Sequence, residues 1–294
     1  MEKTTIMLKI KNLKVNYGNF TALNIDKEIE IDEKEIIGVI GGNGAGKSTL
    51  IKALTNQVKY EGLLERPKSV AVHLQENAYP TTVNCQTILE GLLKTSYPKN
   101  TKLIELVRFF DFEKNLKKKF SQLSGGQKQR LTIIMVLYQD AELTCFDEMS
   151  TGLDFETRSQ LMRKIREWYA DKEATLLLIT HYFDELEHLA KKLLIIDKGR
   201  LIDFGNLNAL FQKYVGYSAI VVDSEKKSDF DRYKVIEGEE SKVAIACKDE
   251  DEQQAIADDL VKQGYKFMIT NTNIELIYLN ALAYSNIAKK EVEA

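Results

Sequence analysis

The stretch EIIGVIGGNGAGKST, residues 35–49, decides the fold of this chain. Residues 35–40 form a continuous apolar run, which is typical of a β-strand that is buried on both faces. The run ends in glycines, and from Lys47 onward apolar residues recur at helical spacing. A buried strand, a glycine-rich loop and a helix in this order predict an α/β domain with a central, largely parallel sheet.

The loop between this strand and helix predicts a phosphate site. GGNGAGKST (41–49) matches the pattern G-x-x-x-x-G-K-[ST], in which backbone N–H groups surround phosphates at a helix N-terminus. Lys47 would reach the β- and γ-phosphates, and the hydroxyl of Ser48 would bind Mg²⁺. A chance glycine-rich turn is the alternative, and the flanking strand and helix disfavour it. The predicted nucleotide-binding residues here are Gly41, Asn43, Gly44, Gly46, Lys47, Ser48 and Thr49.

Two adjacent carboxylates follow a second apolar strand, in ELTCFDE (142–148). Asp147 suits a hold on Mg²⁺ through water, as in phosphate-loop nucleotidases generally. Glu148 would project toward an attacking water as its general base. A solvated turn is the commoner setting for such a pair, but an apolar strand in front of it and a phosphate loop in the same chain favour catalysis.

Strand and helix patterns alternate along the rest of the chain. Residues 6–31 read as two short strands with a turn at Gly18-Asn19. Further strands are predicted at 142–146, 174–180 and 193–197, and helices at 86–95, 101–110, 126–138, 155–170 and 183–191. Beyond residue 216 the pattern becomes that of a small α+β unit, with strands at 218–223, 242–247 and 265–270 and helices at 249–264 and 274–288.

Composition narrows the class of protein. The chain has 294 residues, of which 44% are apolar and 29% charged, and its net charge of −3 gives no argument for nucleic acid or a membrane surface. The three cysteines lie far apart and predict reduced thiols. No apolar run reaches the about 20 residues that a membrane span needs, so other chains would have to supply the spans if the protein works at a membrane.

A third motif, LSGGQ at Leu123–Gln127, turns these patterns into a family resemblance. The chain resembles the ATP-binding subunit of an ABC transporter, in the same motif order, over residues 6 to about 212. Tyr17 matches the aromatic that stacks on adenine, and Gln75 the glutamine that contacts Mg²⁺ and water. Asp154, in TGLD, matches the acid of the loop at the dimer interface, and His181 the switch histidine that contacts the γ-phosphate. The resemblance makes Glu148, His181 and Gln75 catalytic, Ser48, Gln75 and Asp147 metal-binding, and Ser124, Gly125, Gly126 and Gln127 the signature that completes a partner's site.

The chain departs from the family pattern at a few positions. Gly42 stands where many members have proline, and Met149 and Ser150 stand where members commonly have Pro-Thr. Neither change removes a group with assigned chemistry. The strand before Asp147 is also less aliphatic than is usual, with Thr144 and Cys145, although both residues tolerate a buried strand.

The resemblance implies a fold, a partner and an activity. It implies an ABC ATPase core of the P-loop NTPase class over residues 1–215, with an antiparallel β edge and a helical arm at about 80–138, followed by an α+β appendix at 216–294. Two subunits would face each other head to tail, so that ATP on one phosphate loop lies under the signature of the other. ATP hydrolysis with Mg²⁺ would then drive separate permease subunits at the cytoplasmic face of the membrane, without nucleic acid.

The direction of transport stays open between two alternatives. The tail after Gly216 loosely resembles drug- and antimicrobial-peptide-type exporters, which favours export of peptides, drugs or lipid-like compounds. An importer ATPase is the nearest alternative.

A non-transport ABC switch protein is disfavoured because the chain has one cassette and no long insertion between Lys47 and Ser124. A catalytically inactive subunit is disfavoured because Glu148 and His181 are both present.

Overall fold

The structure is a computed structural model and describes residues 6–74, 79–170, 172 and 174–293. Strands and helices alternate over most of this length. The strands are β1 Ile6–Tyr17, β2 Phe20–Asp32, β3 Ile36–Ile40, β4 Glu61–Glu65, β5 Val70–His73, β6 Leu143–Asp147, β7 Thr175–Ile179, β8 Lys192–Asp197, β9 Arg200–Asn206, β10 Ser218–Val222, β11 Val235–Ile236, β12 Val243–Cys247 and β13 Phe267–Thr270. The helices are α1 Lys47–Leu54, α2 Cys85–Leu93, α3 Thr101–Phe109, α4 Gly125–Tyr138, α5 Phe155–Tyr169, α6 Phe183–Leu189, α7 Leu207–Tyr214, α8 Glu250–Lys262 and α9 Ile274–Glu293.

The larger sheet of the described residues has the strand order β4-β1-β2-β9-β8-β3-β7-β6-β5. Its strands β5, β6, β7, β3 and β8 run parallel to one another. At the opposite edge, β4, β1 and β2 pair antiparallel, and β9 is antiparallel to β8. The expected mixed, largely parallel sheet with an antiparallel β edge is confirmed.

The central strands are mostly apolar and are buried along almost their whole length because both faces of the sheet are covered. Successive residues of β7 show this, since side chains alternate between faces. Leu176 and Leu178 belong to the hydrophobic cluster that includes helices α2–α5, whereas Leu177 and Ile179 belong to the cluster that includes α1 and the antiparallel edge. The continuous apolar runs of the sequence therefore predicted strands at the right places.

Helices α2, α3 and α4 lie within the segment 80–138 that was predicted as a helical arm. They pack on one another and, through α4, on β5 at the end of the sheet. Residues Leu131 to Leu137 of α4 are all buried, so this half of the helix is enclosed on every side.

A second, antiparallel sheet follows α7, with the order β11-β12-β10-β13. Strand β10 again divides its side chains between two faces: Ile220 and Val222 pack with α8, whereas Ala219 and Val221 join the large cluster to which α9 also contributes. The predicted α+β elements beyond residue 216 are therefore present, and their core is continuous with the core of the larger sheet. A domain boundary at 215/216 stays a prediction.

Several elements escaped the sequence analysis. Strand β9 pairs with β8 across the turn at Lys198-Gly199, and the sequence analysis predicted only the first of these two strands. Strand β4 is an edge strand whose residues are mostly exposed, so no apolar alternation marks it. Strand β11 has only two residues. In each case long-range pairing, rather than local pattern, makes the strand.

Candidate functional site

The glycine-rich loop leaves β3 at Ile40 and enters α1 at Lys47. Gly46 occupies the N-cap of α1 with a φ of 109°, which residues with a Cβ rarely adopt. A Cβ there would also lie 2.9 Å from the Ala22 carbonyl oxygen. Glycine offers no side chain as a cap, so the first N–H groups of α1 have no side-chain acceptor within the loop. This is how a chain presents N–H groups to an anion.

Lys47 is buried at the start of α1 and points back over the loop. Its ammonium group donates to the Gly41 carbonyl at 2.7 Å and to the Gly42 carbonyl at 3.1 Å. Burial lowers the pKa of Lys47, while the charges of Glu148 and Asp147 oppose that shift. The loop therefore holds a desolvated cation beside its own backbone, which suits a group that neutralises phosphate.

Asp147 ends β6 beside the same helix start. The Ser48 hydroxyl donates to its carboxylate at 3.3 Å. Burial raises the pKa of Asp147, and the neighbouring Glu148 charge adds to the rise, while Ser48 and Lys47 oppose it. A buried carboxylate next to a hydroxyl fits Mg²⁺, which takes oxygen ligands and is bound through one or two carboxylates plus phosphates. In the described part of the chain, no three His, Cys, Asp or Glu side chains form a metal cluster of their own.

Glu148 and His181 meet at the ends of the neighbouring strands β6 and β7. The His181 Nε2 atom lies 2.5 Å from a carboxylate oxygen of Glu148. Glu148 has a positive φ of 50°, and its N–H donates to the Ile179 carbonyl at 2.9 Å. A positive φ at a residue with a long side chain is uncommon, and the bond to β7 holds this conformation. Two residues predicted as catalytic, far apart in sequence, are therefore brought together.

A cavity of about 360 Å³ opens above the loop. The predicted residues that line it are Tyr17, Asn43, Gly44, Gly46, Lys47, Ser48, Thr49 and Glu148, joined by Phe20, Ala22 and Ala45. Tyr17 and Phe20 face each other across the Gly18-Asn19 turn and are 46% and 67% exposed, so both rings are accessible to a planar ligand. Sequence analysis missed Phe20, although the two-residue turn that pairs it with Tyr17 was recognised.

The predicted metal ligand and catalytic residue Gln75 lies outside the described residues. The chain is described up to Leu74, one residue after β5, and again from Tyr79. Strand β5 pairs with β6, whose end carries Asp147.

The signature residues lie at a different place, the start of α4. The Ser124 hydroxyl accepts the Gln127 N–H at 3.3 Å, and the Gln127 side chain accepts the Ser124 N–H at 3.2 Å. This reciprocal pair is a capping box. The residues that line the cavity do not include Ser124, Gly125, Gly126 or Gln127. Within one chain the two glycine-bearing helix starts therefore do not form a common pocket.

Asp154 caps the next helix. Its carboxylate accepts the Thr157 N–H at 2.9 Å and the Thr157 hydroxyl at 2.7 Å, and the first of these bonds is the main cause of its lowered pKa. Leu153, before it, would be 3.6 Å from a Cβ on Gly125. The loop predicted at the dimer interface therefore packs beside the signature, and Asp154 already has an N-cap role within its own chain.

Arg158 is a residue that no sequence motif had marked. Its guanidinium group lies 4.0 Å from the centre of the Tyr182 ring. It also forms ion pairs with Asp184 at 3.3 Å and with the buried Glu185 at 3.7 Å. Because Tyr182 follows His181 directly, Arg158 joins the helix after Asp154 to the segment that carries His181.

Comparisons with known proteins agree with this geometry. The family described as ABC transporter matches residues 26–151. An energy-coupling factor transporter ATP-binding protein of Mycoplasmopsis synoviae is 32% identical over 68% of this chain and 83% of its own length. A methionine import ATP-binding protein of Lactobacillus johnsonii is 28% identical over 69% of this chain and 66% of its own. A Nod factor export ATP-binding protein I of Rhizobium meliloti is 26% identical over 94% of this chain and 88% of its own.

Solved structures show the same fold. A protein of Clostridium perfringens, described as cbiO1 and part of the ABC transporter complex cbiONQ, has a TM-score of 0.62 at 24% identity, over 71% of this chain and 91% of its own. Among the described residues, no helix combines the length and apolar character that crossing a bilayer requires. The identity to the Mycoplasmopsis protein and its coverage show that this chain belongs to the ATP-binding, ATP-hydrolysing subunits of ABC transporters.

Proposed function

We propose that Lys47, Ser48, Asp147, Glu148 and His181 form the hydrolytic centre of this ATPase and that hydrolysis drives export through a separate permease. One observation carries the first part. The adjacent strands β3, β7 and β6 end at one edge of the sheet, where the Glu148–His181 contact of 2.5 Å and the Ser48–Asp147 contact of 3.3 Å lie. The crevice at the carboxyl ends of parallel strands is where α/β proteins bind ligands.

Each side chain has a role that its position allows. Lys47 exchanges the loop carbonyls for β- and γ-phosphate oxygens, which its flexible side chain can reach from the helix start. Tyr17 stacks on the adenine, and Phe20, its neighbour across the turn, lies against the same ring. Glu148 accepts a proton from the attacking water, and His181 contacts the γ-phosphate beside it.

Ser48 and Asp147 would hold Mg²⁺, with Gln75 as a further ligand from the segment after β5. When bound, Mg²⁺ supplies positive charge that offsets the charge of the phosphates. The carboxylate of Asp147 is buried, and its pKa is raised because the neighbouring groups do not fully offset the cost of burying its negative charge. Its charge is well placed to attract a cation.

The dimer follows from the position of the signature. We infer that Ser124, Gly125, Gly126 and Gln127 close over the ATP of a second subunit, because they stand at an exposed helix start and do not line the cavity of their own chain. Asp154 then lies near the interface, beside the signature of its own chain. Two copies facing head to tail form two such composite sites, and dimer closure would be transmitted to membrane permease subunits.

Export is the direction that the length of the matches supports. The Nod factor export relative aligns with 94% of the chain, whereas the methionine import relative aligns with 69%. Import remains the second candidate, since the methionine import relative, at 28% identity, is as similar over its matched part as the Nod factor export relatives, at 28% and 26%. Affinity purification from solubilised membranes distinguishes the two: a permease without a solute-binding protein supports export, and a solute-binding protein supports import.

The hydrolytic assignment is tested by Glu148→Gln. This change keeps the size of the side chain and removes its basicity, so ATP turnover should fall about 10²–10⁴-fold, while ATP binding remains and a nucleotide-bound dimer accumulates. Phosphate release and size-exclusion chromatography with ATP and Mg²⁺ measure the two effects. Glu167→Gln, on the exposed side of α5, is the matched control. A Glu148→Gln variant that kept most of its turnover would remove Glu148 from this role.

A further inference from the structure

Helix α9, at the far end of the chain, packs against the helix that follows the switch histidine. The Ile274 N–H donates to a carboxylate oxygen of Glu187 on α6 at 2.9 Å. One turn later, the Tyr278 ring lies 5.9 Å from the ring of Phe183, the first residue of α6. Since Phe183 is two residues from His181, Tyr278 stands close to the segment that carries the γ-phosphate contact.

The other side of Tyr278 faces the phosphate loop. A Cβ built on Gly42 would lie 3.8 Å from the Tyr278 hydroxyl oxygen, which is its closest approach to any atom beyond the neighbouring residues. Burial raises the pKa of Tyr278 and the Asp197 charge adds to the rise, while the backbone of Gly42 opposes it. The phenol oxygen therefore lies over the backbone of Gly42.

Gly42 links this tyrosine to the lysine of the site. Its carbonyl oxygen accepts from the Lys47 ammonium group at 3.1 Å and from the Ala45 N–H at 3.1 Å. Gly42 thus lies beside the Tyr278 hydroxyl of α9, and its carbonyl contacts the phosphate-binding lysine. A proline at position 42, as in many members of the family, has no N–H and could not donate a hydrogen bond to the Tyr278 hydroxyl oxygen.

We propose that Tyr278 is a positioning residue of the phosphate loop: its phenol oxygen accepts the Gly42 N–H, which orients the loop and Lys47 for the nucleotide. This makes α9 part of the ATP site, although none of the α9 side chains that the structure describes lines the cavity. The inference rests on the proposed role of Lys47. Tyr278 also contacts Phe183 of α6. One tyrosine therefore packs against both the phosphate loop and the segment after His181, which surround the γ-phosphate.

The experiment compares Tyr278→Phe with Tyr284→Phe in the full chain. Tyr278→Phe keeps the ring and its packing on Phe183 and removes only the oxygen, whereas Tyr284, on the same helix, is 65% exposed and remote from the loop. Net hydrogen-bond energies correspond to a loss of about two- to tenfold in affinity. ATP and ADP affinities should both fall by this factor, because the loop binds phosphates common to both, while the melting temperature stays that of Tyr284→Phe.

A double-mutant cycle with Gly42→Pro tests the route through the N–H. Gly42→Pro alone should weaken binding to the same degree, and Tyr278→Phe should have no further effect in the Gly42→Pro background. Unchanged ATP affinity in Tyr278→Phe would overturn the inference, and so would independent, additive losses in the double variant. If Lys47→Ala abolished ATP binding while Tyr278→Phe did not alter it, the ATP site would stand and only the role of Tyr278 would fall.

Discussion

Two helices of this protein, α1 and α4, begin next to glycines, but the starts of the two helices are capped differently. Helix α1 starts after Gly46, whose φ is 109° and which leaves the helix start without a side-chain cap. Helix α4 starts after Ser124, which together with Gln127 forms a complete capping box. Both sequences have the composition of an anion site, but only the first is built into a cavity, where Lys47, Ser48 and Glu148 surround it.

The difference in capping suits the two helix starts to different roles. The N–H groups at the start of α1 have no internal side-chain acceptor, so a phosphate supplies what the chain does not. Ser124 already accepts an N–H of its own helix, so α4 is stable without a ligand. The start of α4 is exposed, as the proposed contact with a second subunit requires. We expect variants at the start of α1 to lose ATP binding by the single chain. Variants at the start of α4 should keep that binding and lose ATP hydrolysis by the dimer.

The largest effect is expected for Lys47→Ala. Two charge-assisted hydrogen bonds to phosphate, at about 1.5–3 kcal/mol each, correspond to a loss of about 10²–10⁴-fold in ATP affinity. Equilibrium titration of the isolated chain with ATP measures it. Lys52→Ala, an exposed lysine on the same helix, should keep normal affinity. Near-normal binding by Lys47→Ala would contradict the assignment of the phosphate loop.

Ser124→Arg should affect the other function. The bulky cation would block the face of α4 that meets the second subunit, and a displacement of catalytic groups costs about 10²-fold in rate. ATP binding to the monomer should stay within about twofold of normal, while hydrolysis and ATP-dependent dimerisation are lost. Ser228→Arg, at an exposed site of the C-terminal part, is the control. Collapse of monomer binding in Ser124→Arg would mean that the signature serves its own chain.

The smallest effect is expected from alanine at one glycine of each site. Gly46→Ala forces a Cβ into a left-handed conformation and should destabilise the chain by about 1–3 kcal/mol. Gly125 has ordinary helical geometry, and its Cβ would meet Leu153 at 3.6 Å, so Gly125→Ala should stabilise the chain by about 0.4–1 kcal/mol.

Urea denaturation measures both changes, and ATP hydrolysis is assayed beside it. Gly125→Ala should still reduce turnover, because its methyl group enters the face offered to the partner's ATP. If Gly125→Ala lost stability as Gly46→Ala does, the glycine would be needed by the backbone of α4 rather than by a ligand.

Much of the fold and site followed from local patterns. Lys47, Asp147 and His181 lie where the sequence analysis expected them, at or after the ends of mostly apolar strands, and such strands lie at the centre of a covered sheet. Parallel strands end at one edge, so residues that follow them converge. The edge strand β4 and the two-residue β11 were missed because nothing in their own residues demands a strand.

Local sequence was enough to predict the site motifs: the phosphate loop, the carboxylates at the end of β6, the histidine after β7 and the signature are each encoded in a few consecutive residues, where turn and cap preferences act over short range. Only the tertiary structure decided which side chains support them. Phe20 reaches the cavity through hairpin register, Arg158 joins α5 to the segment after His181, and the hydroxyl of Tyr278 lies beside a glycine more than 230 residues away in sequence. Such contacts arise from packing between elements, and packing leaves no periodic mark in the residues that make it.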